Sequence, residues 1–470
     1  MRERARPAVL AAAACLGWLP FLWRPLSPDE GGFLIVASQW GPGTSLYGDY
    51  WVDRPPVLIG LFALADGIAD PWALRLLGTV AVVVAVLLAG LVGRLAAPAT
   101  RIGPTLAAGT AAIFTATPLF GGSVVHGELL ALPFILAGVA AAIAAAGTRS
   151  ELHALGLATA AGVAGMLAAL TKQSQVDVFV AVLVMVLLTR RWRLLAGVVV
   201  GAGLTLLATL QVSQGLGTAP GDLWDALVTF RGDAARVIAE SATYTTPRRL
   251  AGVLGALVGS AAPFVAVGLL VRLRRPATDG ARDLRWVAVA VLSWELFVVL
   301  LGGSYWLHYL MGLVPGLVLL AAAAAQRRLE FGPTLLLPYA GAALSTLATV
   351  VYVVFQPIPR PEAPVIDYLR AEGHPGDTAI VAFGGANILR ETGMTSPYEE
   401  LWSLPVRVRD PELSALTDIL EGDHAPLWVV VNGDSMASWG IDATTADRAL
   451  RDRYRLTATA GRFSIFRRDG

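Results

Sequence analysis

The sequence predicts an α-helical polytopic membrane protein of about 11 spans, with a small α/β domain at its C-terminal end. Three observations predict it: long apolar blocks, connecting segments that alternate in charge, and a change of composition after Phe355. Of the 470 residues, 55% are hydrophobic and 15% charged, and the mean hydropathy is +0.62. Soluble domains carry roughly 25% charged residues. The surplus apolar residues come in blocks of about 20, the length that crosses a bilayer. A net charge of +1 gives no electrostatic argument for a nucleic-acid partner. Cys15 is the only cysteine, so an internal disulfide and a thiolate metal cluster are excluded. Lys172 is the one lysine among 36 basic residues.

The first block follows Met1-Arg2-Glu3-Arg4-Ala5-Arg6 and runs from Pro7 to Trp23, a layout resembling a signal peptide. No small-residue cleavage site follows it, and further spans do. An uncleaved signal anchor is the expectation, with lipidation at Ala13-Ala14-Cys15 a minor alternative. The remaining spans are expected at Trp72–Leu95, Pro104–Leu119, Glu128–Ala146, His153–Leu170, Val176–Leu188, Leu194–Val212, Leu250–Val271, Trp286–Leu301, His308–Ala325 and Pro333–Phe355. With a cytoplasmic N-terminus, every inner loop is basic: Arg94/Arg101, Arg149, Arg190/Arg191/Arg193, Arg272/Arg274/Arg275/Arg282/Arg285 and Arg327/Arg328. The outer loops, including the one from Asp29 to Asp70, are acidic or nearly neutral apart from Arg248/Arg249. This plan predicts a multi-pass protein of the cell membrane with its C-terminal domain extracytoplasmic.

The membrane domain is expected over 1–355 and a stiff proline-rich linker over 356–362. Beyond them a small domain spans 363–470. Its strands are expected at Ala379–Phe383, Leu427–Val431, Leu456–Ala460 and Phe463–Phe466. Its helices are expected at Pro364–Glu372, Pro411–Leu420 and Ala443–Arg451. The Gly384-Gly385-Ala386-Asn387 turn is too short a signal to imply a nucleotide site.

Chemistry concentrates in the first outer loop. Ser27-Pro28-Asp29-Glu30 reads as a capping box, with Ser at the N-cap, Pro at the first helical position and Glu three residues on. A short surface helix, Phe33 to Trp40, would follow. The cap accounts for Glu30 and, through the helix dipole, partly for Asp29. Alternatively, Asp29 is a carboxylate held outside the bilayer to take a proton from a hydroxyl. On spacing alone both readings stand. Downstream lie Asp53-Arg54-Pro55-Pro56, and then His126-Gly127-Glu128 at the outer start of the fourth span. His126 and Glu128 could form part of a metal site, but two ligands are a weak signal. Lys172-Gln173 closes the fifth span, where snorkelling competes with phosphate binding. Asp177 and Glu295 are expected to bond neighbouring helices. Arg248-Arg249 either anchors a span or meets a lipid phosphate. An aromatic interface belt explains Tyr305, Trp306 and Tyr309, but not His308.

An acidic pair opening the first outer loop, followed by Asp53-Arg54-Pro55-Pro56 before the second span, resembles the GT-C glycosyltransferases. These include the protein O-mannosyltransferases and the aminoarabinose transferases of lipid A. The resemblance covers about Arg6 to Phe355. It implies transfer of a sugar from a polyprenyl-phosphate carrier to a protein, glycan or lipid acceptor on the outer face. It also implies a second surface helix starting at the basic-Pro-Pro segment. By that match Asp29 is the general base and Arg54 lies near the donor phosphate. Relatives carry an acidic residue at a place like Glu128, a basic one like Lys172 and a polar pair like that at His308; with these, Glu30, Asp53, Gln173, Arg248 and Tyr305 are the candidate substrate-binding residues. Inversion is the expected outcome. No cofactor is required, and a divalent metal is left open. Gly31-Gly32 follows the acids where relatives often carry bulkier residues. A polytopic transporter, another cell-envelope glycan polymerase or ligase, and a non-catalytic assembly partner are the competing readings.

Overall fold

The structure, a computed structural model, describes residues 2–68, 71–240, 245–277, 282–327, 332–356 and 359–469. Asp70, Arg328 and Pro357-Ile358 of the expected linker lie outside the described residues. The chain divides into two compact units, Met1–Arg24 with Trp72–Thr209 and Tyr244–Pro357, and Pro25–Pro71 with Leu210–Thr243 and Ile358–Gly470.

The first unit is helical, and every apolar run anticipated from the sequence contains helix. Among the described residues, six helices are long and apolar enough to cross a membrane, and a bent pair would make a seventh. The runs before Trp72, at 104–119, at 176–188 and at 286–301 form shorter helices, Arg2–Trp18, Gly103–Ala116, Asp177–Thr189 and Arg285–Leu301. The bent pair departs from the continuous run expected at Leu250–Val271. Its halves, Thr246–Gly259 and Ala262–Arg272, meet at 57°. Pro263 begins the second half without an N–H to donate. Ala261 at the break turns left-handed, with φ of 60°. The run expected from His308 likewise opens as a 3-10 turn, Leu307–Leu313, before the α-helix Val314–Ala325.

Burial within this unit is uneven. Every residue of Val314–Ala325 is buried, whereas only 6% of the spanning window in Pro333–Phe355 is. Leu336, Leu337, Leu344 and Leu347 of that outer helix are exposed. In hydrocarbon such a surface costs nothing, so association must come from close packing instead. Helices Glu151–Thr171 and Arg193–Gly215 meet in that way. A Cβ on Gly162 would stand 2.1 Å from the Val198 carbonyl oxygen, and one on Gly201 2.0 Å from that of Thr159. Loop arginines expected to set topology also close helix ends. Arg191 donates to the carbonyls of Ala145, Ala146 and Thr148, each at 3.1 Å. Buried Arg327 bonds Asp283 at 2.8 Å.

The second unit combines three distant segments. Helix Pro28–Gln39 begins at the expected capping box: Ser27 N–H donates to Glu30 Oε2 at 2.8 Å, and Glu30 N–H to Ser27 Oγ at 3.4 Å. A second helix, Pro56–Asp66, starts at the Pro-Pro pair. The C-terminal sheet has strands β1 (Ala379–Ala382), β2 (Trp428–Asn432), β3 (Tyr454–Ala460) and β4 (Phe463–Arg468), in the order β1-β2-β4-β3. β1 and β2 pair in parallel, and the other two pairings are antiparallel. Val429 and Val431 of β2 pack with Leu416, Leu420 and Leu450 of the flanking helices. A smaller core joins all three segments: Trp51 of the first loop, Ala226, Phe230 and Ala234 of the middle segment, and partly buried Leu404 and Val408 of the tail. Helices Pro220–Trp224, Phe230–Glu240, Ala386–Thr392 and Ser403–Arg409 were not anticipated. Three of them are too short to show a helical period in the sequence.

Candidate active site

In the second unit, the capped helix presents Asp29 at its second residue, exposed, while Glu30 is fully buried. The cap therefore divides the pair: one acid closes the helix end and the other faces outward. Trp402 of the tail donates its indole N–H to Asp29 Oδ1 at 3.0 Å. The Trp402 ring lies against Phe33, with centroids 5.5 Å apart, and the Arg54 guanidinium lies over Phe33 at 5.7 Å.

Arg54 also bonds Asp53 Oδ1 at 2.5 Å, and Arg231 reaches the other oxygen of the same carboxylate. Two guanidiniums thus meet one carboxylate, and Arg231 is 40% exposed. No signal in the sequence marks Arg231, because Asp222, Asp225 and Asp233 make its loop look neutral. Nearby, Glu400 is buried and lies 2.6 Å from Arg409. Burial pushes its carboxyl up to about 8, with Arg409 opposing and Glu399, Asp410 and Asp53 reinforcing the shift.

The glycine pair after the acids is explained by packing. A Cβ on Gly31 would lie 2.5 Å from the Asn387 Cα, and one on Gly32 2.3 Å from Cζ2 of Trp402. The turn at Gly384–Asn387 thus leads into a helix that rests directly on the one carrying Asp29.

The first unit gathers a different set of the expected residues. Glu128, at the start of helix Gly127–Gly147, is buried and takes Lys172 Nζ on Oε1 at 3.1 Å. His126 Nδ1 lies 3.2 Å from Glu128 Oε2. The His308 ring lies 4.9 Å from that of His126, and Lys172 sits 5.5 Å from the centre of the Tyr309 ring. Residues 126–128, 172 and 308–309 thus converge from three loops. Among the described residues, no group of three or more His, Cys, Asp or Glu is arranged to hold a metal.

The other expected residues are more peripheral. Gln173 and Tyr305 are half-buried, and Arg248 is exposed on helix Thr245–Gly259. Its neighbour Arg249 stacks over Trp306 at 4.2 Å. Glu295 accepts the Gly316 N–H at 2.9 Å, in keeping with the helix-bonding role expected of it, whereas the buried carboxylate oxygens of Asp177 meet no hydrogen-bond partner among the described residues.

No family model and no curated protein matches the chain. Solved structures do. A crystal structure of ArnT from Cupriavidus metallidurans bound to undecaprenyl phosphate matches with a TM-score of 0.63 at 15% identity, covering 98% of this chain and 97% of that one. The mycobacterial arabinofuranosyltransferase AftD matches at 0.53 and 17% identity, over 99% of this chain and 41% of that one. The Archaeoglobus fulgidus oligosaccharyltransferase matches at 0.51 and 11% identity, over 99% of this chain and 74% of that one. At such identities the likeness speaks for the fold alone, and this chain shares its fold with these three structures.

Proposed function

We propose that this chain is a membrane glycosyltransferase that moves a sugar from a polyprenyl-phosphate carrier to an acceptor hydroxyl, with inversion. The observation that carries this reading is Asp29: an exposed carboxylate in the first turn of a capped helix, in a fold shared over nearly the whole chain with an undecaprenyl-phosphate-bound ArnT. Asp29 takes the acceptor hydroxyl proton as the acceptor oxygen bonds the anomeric carbon. The bond from that carbon to the phosphate oxygen breaks, and polyprenyl phosphate leaves.

Arg54, steered by Asp53, neutralises charge on the departing phosphate. Arg231 shares that carboxylate and adds to the local positive charge. In the other unit, Lys172, His308 and Arg248 supply positive groups of the kind a lipid phosphate meets. The basic inner loops support a cytoplasmic N-terminus and a C-terminal domain on the outer side.

The test is a transfer assay with the purified full chain, offering polyprenyl-phosphate sugars one at a time and then repeating the active one with Asp29→Asn. Loss of transfer in that variant is expected, and full activity would remove the assignment of the base.

A further inference from the structure

Asp29 carries a hydrogen-bond partner 373 positions away in the sequence. The Trp402 indole is fixed by contacts that do not involve its N–H. Its ring rests against Phe33, and its Cζ2 edge fills the space a side chain at position 32 would need. So held, its N–H points at Oδ1 of Asp29. Among the described residues the Asp29 carboxylate has no other hydrogen bond, and it is otherwise exposed.

An exposed aspartate in a helix's first turn can swing between rotamers and can turn back towards the free N–H groups of its own helix. A single rigid donor on one oxygen removes most of that freedom. We propose that Trp402 is a positioning residue for Asp29: its N–H occupies Oδ1 and leaves Oδ2 to receive the acceptor proton. The C-terminal domain is then a working part of the site and not an appended module. Gly31 and Gly32 are the sequence condition for that arrangement, since a side chain at either would push Asn387 or Trp402 away.

This inference rests on the reading of Asp29 as the base, and the experiment separates the two. Trp402→Phe keeps an aromatic ring against Phe33 and removes the donor. Misorienting a reacting group by a fraction of an ångström lowers the chemical step without touching binding of a remote ligand. The expected result in the full chain is a kcat lower by about 10-fold, with the KM for the polyprenyl-phosphate sugar unchanged within about 2-fold.

Benzothienylalanine placed at position 402 replaces the indole N–H by sulfur at nearly constant shape, and it should reproduce the loss where Trp402→Phe packs poorly. Gly32→Ala, which displaces the ring, should show the same split between kcat and KM. Wild-type kcat in the sulfur isostere, with Asp29→Asn inactive, overturns the positioning role while leaving the base in place. Full activity of Asp29→Asn overturns the base itself.

Discussion

The two clusters that hold the expected site residues are built on opposite physical terms. Glu128 is buried and its charge is answered at once, by Lys172 at 3.1 Å and His126 at 3.2 Å. Asp29 is exposed and, among the described residues, its carboxylate is answered by a neutral indole N–H. A buried ion pair tolerates little change, because removing one partner leaves a charge that neither water nor protein can solvate. An exposed carboxylate has no such constraint and remains available to a proton. The contrast separates a residue that the structure needs from one that it presents, and the second is the one proposed as the base.

The sharpest way to break this contrast is Asp29→Asn. It should lower transfer by about 1,000-fold, within the usual range for a lost general base, and leave thermal stability near wild type. A comparable loss of melting temperature would make Asp29 a structural residue like Glu128.

The next largest effect is expected at Lys172. Lys172→Met strands the buried Glu128 carboxylate and should cost about 3–5 kcal/mol of stability. Adding Glu128→Gln should restore the melting temperature. If transfer by that double variant remains at least about 10-fold down, Lys172 serves the donor beyond balancing Glu128. Full recovery would make the cluster purely structural.

Glu400 sharpens the comparison through pH. Its folded-state carboxyl, raised to about 8, titrates above the ordinary value of 4.5. The protonated form is the one the fold favours, so the stability it contributes is complete below the lower value and is lost as pH rises through the upper one. Melts of the full chain should therefore weaken by a few kcal/mol across that window. Glu400→Gln should flatten this dependence, and a slope unchanged in the variant would mean that other groups carry it.

The smallest effect concerns the arginine pair. Arg249→Ala removes the stacking on Trp306 and should cost about 0.5–1 kcal/mol. Arg248→Ala should leave stability unchanged within about 0.5 kcal/mol. A fall in transfer confined to Arg248→Ala would favour its phosphate role over span anchoring.

Much of this architecture is legible in the amino-acid order because it is set by local, periodic physics. Apolar blocks report helices, since in lipid the backbone must satisfy itself within each segment. Ser27-Pro28-Asp29-Glu30 reports a helix start, because a cap uses only neighbours in sequence, and it divides the two acids before any fold is known. The tail strands are legible as short β-branched runs such as Trp428–Val431. The bend at Ala261 was visible only as Pro263, whose effect depends on what surrounds it.

Contacts between distant segments carry no such signature. Trp402 bonding Asp29, Arg231 joining Arg54 on Asp53, and Lys172 meeting Glu128 each depend on which surfaces pack together. Nothing periodic or neighbouring encodes them. The sequence therefore determined that Asp29 sits in the first turn of a capped helix. Its orientation was decided only when the tail folded onto Gly31 and Gly32, because that geometry exists in the packed chain alone.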